Sequence, residues 1–229
     1  MKKHDIILKH DDFVAITNTF NSIDESRFIN SILGDVYQRE LLDKQKYYPI
    51  NVVRYADKSG ISLGQAFTEL RELAIKYKET TLEIPLKDKH IWYTSIIYDF
   101  IVNEDNKTIF IQWNKEIIPL ISGDMKNGYY STYIADMDNS RSIANYKLSE
   151  LIQRNLWLLD KKGEFILETS EIRKITGTES KYKVYSDLRK RIIQPAIDEL
   201  GKYAGIRLLF KGNSKVVKFW RKRYEREVS

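Results

Sequence analysis

The chain has 229 residues, of which 42% are hydrophobic and 31% charged, a composition typical of a folded protein and not of a disordered one. It contains no cysteine, which excludes disulfides, thiolate metal sites and cysteine nucleophiles and favours a reducing cytoplasm. Residues 1–124 carry 16 Lys and Arg against 19 Asp and Glu, net −3, whereas residues 125–229 carry 22 against 13, net +9. The basic second half therefore favours a polyanionic partner such as nucleic acid.

A helix-turn-helix is predicted in the first half. Ser22 and Glu25 have the spacing of a capping box, which begins a helix with apolar positions at helical spacing. These positions are Phe28, Ile29, Ile32, Leu33, Val36 and Tyr37. A short helix is then predicted over 52–58, a turn at Ser59-Gly60, and a further helix that Ser62 caps and that extends to about Tyr77. Two helices joined by a glycine-containing turn are typical of a helix-turn-helix.

β-structure and a domain boundary follow. Strands are predicted over 81–84, 92–102 and 108–113, and the polar loop 103–107 predicts that the last two form a hairpin. The segment 122–128 is polar and flanked by glycine, as domain linkers are, and the charge balance changes sign there. We therefore expect an N-terminal domain over 1–123 and a C-terminal domain over 124–229.

The same order of elements recurs in the second half. A helix is predicted over 140–156, with Ile143, Leu151 and Ile152 on its inner side. The remaining elements are a strand pair formed by 156–159 and 165–167, a short helix over 170–175, a turn at Gly177, a long helix over 181–203, and a hairpin formed by 207–210 and 216–221. Because helix, turn, helix and hairpin occur twice, the sequence predicts an α+β fold of two tandem winged-helix domains.

The helix predicted over 181–203 carries the main candidate site. Val184, Leu188 and Ile192 recur every four residues and predict its buried side. The opposite side carries donors suited to phosphate and guanine, and the candidates there are Tyr182, Lys183, Ser186, Arg189 and Lys190. A solvated helix face is the alternative interpretation. Pro195 predicts a bend or a break in this helix.

Two further sets of residues are candidates for DNA contact. In the last hairpin Lys211, Lys215 and Lys218 belong to a basic series with Arg221, Lys222 and Arg223, which would contact phosphates or, alternatively, protect an edge strand from aggregation. In the first half the candidates are Ser62, Gln65, Thr68 and Arg71. Glu72 and Ile75 on the same helix face suit a protein contact equally well.

Two features of the chain carry a resemblance to a known family. One is a basic helix followed by a Pro-Ala-x-x-Glu-like stretch, and the other is a strand that leads into residues 114–120. These segments are Tyr185-Ser186-Asp187-Leu188-Arg189-Lys190-Arg191, Gln194-Pro195-Ala196-Ile197-Asp198-Glu199 and Asn114-Lys115-Glu116-Ile117-Ile118-Pro119-Leu120. In these segments the chain resembles the theta-type plasmid replication initiators, known as Rep proteins.

The resemblance implies that two winged-helix domains bind direct repeats in double-stranded DNA at a plasmid origin. It further implies melting of nearby A·T-rich DNA, recruitment of the host replicative helicase and initiator proteins, and a homodimer in equilibrium with the monomer. The C-terminal domain would supply the main major-groove helix, whereas the N-terminal domain would add DNA contacts and mediate dimerisation.

Some other classes of function fit the sequence less well, and two remain as alternatives. A rolling-circle enzyme that nicks DNA needs clustered histidines for its metal, typically two histidines separated by one hydrophobic residue, whereas His4, His10 and His90 do not have this spacing, and no phosphate-binding loop motif is present. We therefore expect no catalytic residues, no metal and no cofactor. No apolar stretch predicts a signal peptide or a membrane span, so a cytoplasmic location is expected. A winged-helix repressor that binds an inverted repeat is the main alternative, and a protein-interaction module with an incidental basic surface is another.

Overall fold

The computed structural model describes residues 6–10, 22–37, 46–85, 90–121, 130–134 and 139–221. Contacts divide the chain into two compact units, residues 1–139 and 140–229. This boundary lies later than the one expected after residue 123. The polar segment 122–128 on which that expectation rested lies outside the described residues. A strand beyond it, Tyr130–Ile134, pairs with a strand of the first unit and so extends that unit.

The first unit contains four described helices and seven described strands. In chain order they are β1 (Ile6–His10), α1 (Ile23–Tyr37), β2 (Tyr48–Pro49), α2 (Val52–Ser59), α3 (Leu63–Glu79), β3 (Leu82–Pro85), β4 (Ile91–Thr94), β5 (Ile97–Asn103), β6 (Thr108–Trp113), α4 (Ile118–Ile121) and β7 (Tyr130–Ile134). All described strand pairs are antiparallel. They form a three-stranded sheet, β2-β6-β5, and two pairs, β1-β7 and β3-β4.

Local signals set the helix-turn-helix of this unit. The Ser22 amide donates to Glu25, whose own amide donates to the Ser22 hydroxyl, which is the predicted capping box. Gly60 ends α2 with a φ of +68°, a left-handed conformation that glycine adopts without steric cost. Ser62 then caps α3. The predicted pair of helices and its turn are confirmed.

The core of the first unit lies between these helices and the β5-β6 hairpin. Phe28 and Ile29 of α1, Leu70 of α3 and Ile109 of β6 are fully buried. Strands β5 and β6 form the predicted hairpin, with the loop where it was expected. The single strand expected over 92–102 is wrong, because the chain forms two strands, β4 and β5, separated at residues 95 and 96. Strand β4 pairs with β3, whereas β5 pairs with β6.

The second unit contains helices α5 (Ile143–Arg154), α6 (Leu156–Lys162), α7 (Thr169–Thr176) and α8, with strands β8 (Glu164–Glu168), β9 (Leu208–Gly212) and β10 (Val216–Arg221). Helix α8 consists of four consecutive segments, Tyr185–Leu188, Arg189–Ile193, Gln194–Glu199 and Leu200–Ala204, of which the second and fourth are π-helical. The three strands form one antiparallel sheet in the order β8-β10-β9.

Two predictions for the second unit are wrong. Residues 156–159 are not a strand, because Leu156–Lys162 is a helix that ends at Gly163 with a φ of +78°. Strand β8 instead pairs with β10, far along the chain. The long helix does not begin at residue 181 either, because Val184 has an extended backbone and caps the helix that starts at Tyr185.

Pro195 neither ends nor breaks α8. The Gln194 amide at the end of the first π-helical segment bonds the Arg189 carbonyl, five residues back. A proline ring clashes with the carbonyl four residues before it in a regular α-helix, and the wider π turn that precedes Pro195 changes that spacing. The helix therefore continues to Ala204, where Gly205 ends it with a φ of +68°.

Glu199 connects α8 to the start of α5. Its side chain is 7% exposed and accepts three hydrogen bonds. The donors are the Ser140 hydroxyl at 2.5 Å, the Arg141 amide at 3.2 Å and the Asn145 side-chain amide at 3.2 Å. A buried carboxylate needs such partners, and these place the acidic end of the Pro-Ala-x-x-Glu-like stretch against the amino-terminal end of α5.

Candidate nucleic-acid interface

The second unit presents a helix-turn-helix formed by α7 and α8. Helix α7 ends at Gly177, whose φ is +64°. The Thr178 amide then donates to the Arg173 carbonyl, and the Lys181 amide donates to the Thr178 carbonyl. These backbone hydrogen bonds fix the connection that leads into α8, so α8 occupies the position of a recognition helix.

Three of the predicted DNA-binding residues lie together on α8. Ser186, Arg189 and Lys190 are all exposed. They line a groove of about 530 Å³ together with Tyr185, Gln194 and Gly212. The opposite side of the helix is buried, with Leu188 at 0% and Ile192 at 4% exposure, which confirms that part of the predicted facing.

The other three residues assigned to this helix are not part of it. Val184 was expected to be buried, yet it is 62% exposed because it precedes the first helical turn. Tyr182 and Lys183 were expected on the outward face of the helix, yet both lie in the connection before it. Tyr182 has a φ of +51°. A bulky residue with a left-handed backbone does not fit inside a right-handed helix, so the helix has to begin after it.

Aromatic rings contact two of the arginines in this region. The Arg189 guanidinium lies 5.7 Å from the centre of the Phe210 ring on β9. The Arg191 guanidinium lies 5.8 Å from the centre of the Tyr182 ring. Both distances are within the range of a cation–π interaction. The contact between Arg189 and Phe210 therefore joins the exposed face of α8 to the hairpin.

Gly212 allows the hairpin to approach α8 closely. A Cβ atom at this position would lie 2.5 Å from the Tyr185 hydroxyl and 2.7 Å from the Val216 carbonyl oxygen. Burial raises the pKa of Tyr185, and the positive charge of Arg189 opposes that shift. Tyr185 is therefore a neutral phenol at the wall of the groove.

The three candidate lysines of the hairpin differ in their surroundings. Lys211 and Lys215 are exposed. Lys218, on the central strand β10, forms an ion pair with Glu164 of β8. Its charge is therefore compensated within the protein, whereas Lys211 and Lys215 have no acidic partner among the described residues. Lys222 and Arg223 lie outside the described residues.

Helix α7 fixes the turn of this hairpin. The Thr169 amide donates to the Lys215 carbonyl at 2.8 Å, and the Thr169 hydroxyl donates to the Asn213 carbonyl at 3.0 Å. Within the turn, the Asn213 side chain accepts from the Lys215 amide at 2.8 Å. The helix-turn-helix and the hairpin thus hold each other in one arrangement.

The four candidates in the first unit make contacts within the protein. Ser62 and Gln65 form a reciprocal capping box, and the Thr68 hydroxyl donates to the Gly64 carbonyl. Arg71 forms an ion pair with Glu104 of the β5-β6 hairpin at 2.9 Å. Arg71 is therefore already engaged with a carboxylate, unlike Arg189 in the second unit.

Three residues that shape the candidate interface, Arg173, Gln194 and Phe210, were not predicted from the sequence. Gln194 was present in the family-like stretch but was not assigned to the site, although helical spacing places it on the same side as Lys190. Arg173 and Phe210 act on residues far along the chain, and no local pattern predicts such contacts.

Neither a metal site nor a membrane span is found in the described part of the chain. Within those ranges, no three side chains of His, Asp or Glu are grouped so that they could hold an ion. No described helix has the length and apolar character needed to cross a bilayer.

Comparisons with known proteins give two matched family models and similar solved structures. The model described as initiator replication protein, WH1, matches residues 6–151, and the model described as initiator Rep protein, WH2, matches residues 168–220. The crystal structure of Pi initiator protein in complex with iteron DNA is similar over 98% of this chain and 100% of its own, with a TM-score of 0.77 and 16% identity.

A second similar structure is the WH1 domain of MSBI1.176, a replication protein isolated from a multiple sclerosis patient. The similarity covers 50% of this chain and 91% of that domain, with a TM-score of 0.40 and 11% identity. A search of the curated proteins gave no match.

Proposed function

The chain belongs to the family of replication initiator (Rep) proteins with two winged-helix domains, and we propose that it starts plasmid replication by binding direct repeats at an origin. The observation that carries the proposal is the exposed face of α8. There Ser186, Arg189 and Lys190 stand together, directly after the turn of a helix-turn-helix and beside its hairpin. The similar fold of Pi initiator protein, which is bound to iteron DNA, supports the choice of repeats as the target.

The chemistry of this face suits the major groove. The groove of B-DNA is about 12 Å wide and admits an α-helix, and each base pair presents a distinct set of donors and acceptors there. Arg189 donates through a planar fork that fits the O6 and N7 atoms of guanine. Lys190 supplies a single cationic donor and Ser186 a hydroxyl that both donates and accepts.

The hairpin would bind the phosphate backbone and orient α8. Lys211 and Lys215 are exposed, and the contacts of Thr169 hold their turn in a fixed position relative to α7. Contacts to phosphate give affinity and orientation but carry no sequence information. In this proposal α8 recognises the bases, and the hairpin binds the phosphate backbone of the DNA.

The first unit would have a different part in initiation. Residues 1–124, which make up most of this unit, have a net charge of −3, and its candidate Arg71 is paired with Glu104. We propose that it supplies secondary DNA contacts and the dimer interface, in an equilibrium between monomer and homodimer. Melting of A·T-rich DNA and recruitment of the host replicative helicase and initiator proteins complete the proposed role, which takes place in the cytoplasm without catalysis or a cofactor.

The test compares three DNA duplexes at one salt concentration. Tandem direct repeats taken from the DNA that flanks the gene should bind more tightly than an inverted repeat of the same half-site or a random duplex. Addition of the protein should also make thymines in the adjacent A·T-rich segment reactive to permanganate. Preference for the inverted repeat without such reactivity would support a repressor instead.

A salt titration separates DNA binding from the interaction-module alternative. If lysines and arginines neutralise phosphates, the logarithm of the binding constant falls linearly with the logarithm of the salt concentration. Binding that does not change with salt would contradict a phosphate-contacting role for the hairpin.

A further inference from the structure

One arginine side chain bridges two carbonyl groups in the connection before α8. The Arg173 guanidinium, in the last turn of α7, donates through Nη1 to the Lys181 carbonyl at 2.9 Å and through Nη2 to the Lys183 carbonyl at 3.2 Å. These acceptors stand on either side of Tyr182, whose φ is +51°. The two hydrogen bonds thus enclose the one described residue of this connection, other than Gly177, that has a left-handed backbone.

The two hydrogen bonds from Arg173 stabilise an unfavourable backbone conformation at Tyr182. A left-handed backbone is unfavourable for a bulky residue, and it persists only where the surrounding structure over-determines it. Arginine offers two donors in a fixed planar fork, whereas a lysine ammonium is a single point that cannot span both carbonyl oxygens in the same way. Arg173 is therefore suited to hold residues 181–183 in one conformation.

The held segment lies at the proposed DNA interface. Lys181 and Lys183 are exposed and immediately precede the first turn of α8. The Tyr182 ring meets the Arg191 guanidinium of α8 at 5.8 Å, so the segment is also attached to the helix itself. The conformation of this segment therefore decides where two cationic side chains emerge beside the recognition helix.

We propose that Arg173 is a positioning residue that fixes the connection 181–183 and so places Lys183 for DNA contact, without itself contacting DNA. This inference rests on the proposed function for its consequence, but the bridge exists independently of DNA. Two of its five N–H donors already bind backbone carbonyls of the protein and hold the guanidinium against the connection, which distinguishes Arg173 from an arginine whose whole fork is turned toward a phosphate.

The first experiment needs no DNA. Trypsin cleavage of the full chain after Lys181 and Lys183 is measured for the wild type, for Arg173→Lys and for the matched control Arg141→Lys, whose side chain is exposed. Trypsin should cleave the Arg173→Lys variant about tenfold faster at these two bonds. Loss of one charged hydrogen bond changes the equilibrium between the held and the open connection by about this factor. Cleavage elsewhere and in the control should not change.

Equal cleavage rates of the Arg173→Lys variant and the wild type at both bonds would contradict the proposal that Arg173 holds residues 181–183. All variants are compared at a temperature where circular dichroism shows each to be folded, and faster cleavage at every site alike would also count against a local role. The cleavage experiment tests the Arg173 bridge even if the wild-type protein does not bind repeats. In that case the proposed function is wrong, and the cleavage rates still show whether Arg173 holds the connection.

The second experiment measures binding to the direct repeat across a range of salt. Arg173→Lys should bind about tenfold more weakly, because the charge at residue 173 is kept and only the fork that places Lys183 is lost. In a Lys183→Ala background the same substitution should have a much smaller effect, because Arg173 acts through Lys183. The wild type and Arg141→Lys should bind alike.

Two results would overturn the positioning role. If Arg173→Lys binds as the wild type does while Arg173→Ala reduces the salt slope by about one, Arg173 contacts a phosphate directly. If Arg173→Lys weakens binding equally with and without Lys183, the effect does not pass through the held segment.

Discussion

Arg189→Ala should weaken binding to the cognate repeat more than binding to random DNA. The side chain is exposed on α8 and its guanidinium lies 5.7 Å from the centre of the Phe210 ring, so it is held at the groove before DNA arrives. Alanine removes both the donors and the cation–π contact while leaving a residue that favours the helix. The buried side of α8 is not touched by this change.

The size of the effect follows from the kind of contact. A bidentate contact to guanine is worth about 1–3 kcal/mol of discrimination, and a factor of ten in affinity corresponds to about 1.4 kcal/mol. We therefore expect the cognate affinity to fall by about 5-fold to about 150-fold. Loss of one phosphate contact alone would instead lower the affinity for both duplexes together.

Equilibrium titrations of a labelled repeat and of a scrambled duplex at the same salt concentration measure this difference. Lys202→Ala is the matched control, because it removes a positive charge from an exposed position near the other end of the same helix. The control should lower the two affinities slightly and alike. Equal losses for Arg189→Ala on the two duplexes would refute base recognition by this side chain.

Three further predictions concern stability and salt dependence. Leu188→Ala should lower the free energy of unfolding by about 2–5 kcal/mol in urea titrations, because Leu188 is fully buried, and an unchanged stability would contradict its facing. Glu199→Ala should cost about 3 kcal/mol in the same assay by leaving the Arg141 amide and the Asn145 side-chain amide without an acceptor, and Glu199→Gln should cost less. Lys215→Ala should reduce the salt slope of DNA binding by about one, whereas Lys218→Ala should change it less because Lys218 is paired with Glu164; equal changes would show that DNA displaces this pair.

Elements with local signals were predicted well from the sequence. The capping box of Ser22, the turn at Gly60 and the cap at Ser62 each involve hydrogen bonds or backbone angles within a few residues. Such signals are present in the sequence itself, since capping and left-handed turns need particular residue types at fixed spacing. The two winged-helix domains followed from these elements and their repeated order.

Elements that depend on distant partners were predicted less well. Residues 156–159 of α6 form a short apolar run, and periodicity alone does not separate a strand from a buried helix at this length. Its expected partner, β8, pairs instead with β10, about fifty residues later in the chain. The start of α8 was placed too early for a related reason, because the left-handed backbone of Tyr182 is enclosed by contacts of Arg173 that no local pattern predicts.

The same distinction applies to the electrostatics of the candidate interface. A count of basic residues treats Arg71, Lys218 and Arg189 alike, yet Arg71 is paired with Glu104 and Lys218 with Glu164, across strands or helices distant in sequence. A paired cation has to lose its carboxylate before it neutralises a phosphate, so it adds less to DNA affinity than an unpaired one. The number of phosphates that the protein neutralises is therefore set by tertiary pairing and not by composition. We therefore expect the second unit to supply the larger share of DNA affinity, because Arg189 on α8 lies beside an aromatic ring, which holds the guanidinium in place without cancelling its charge.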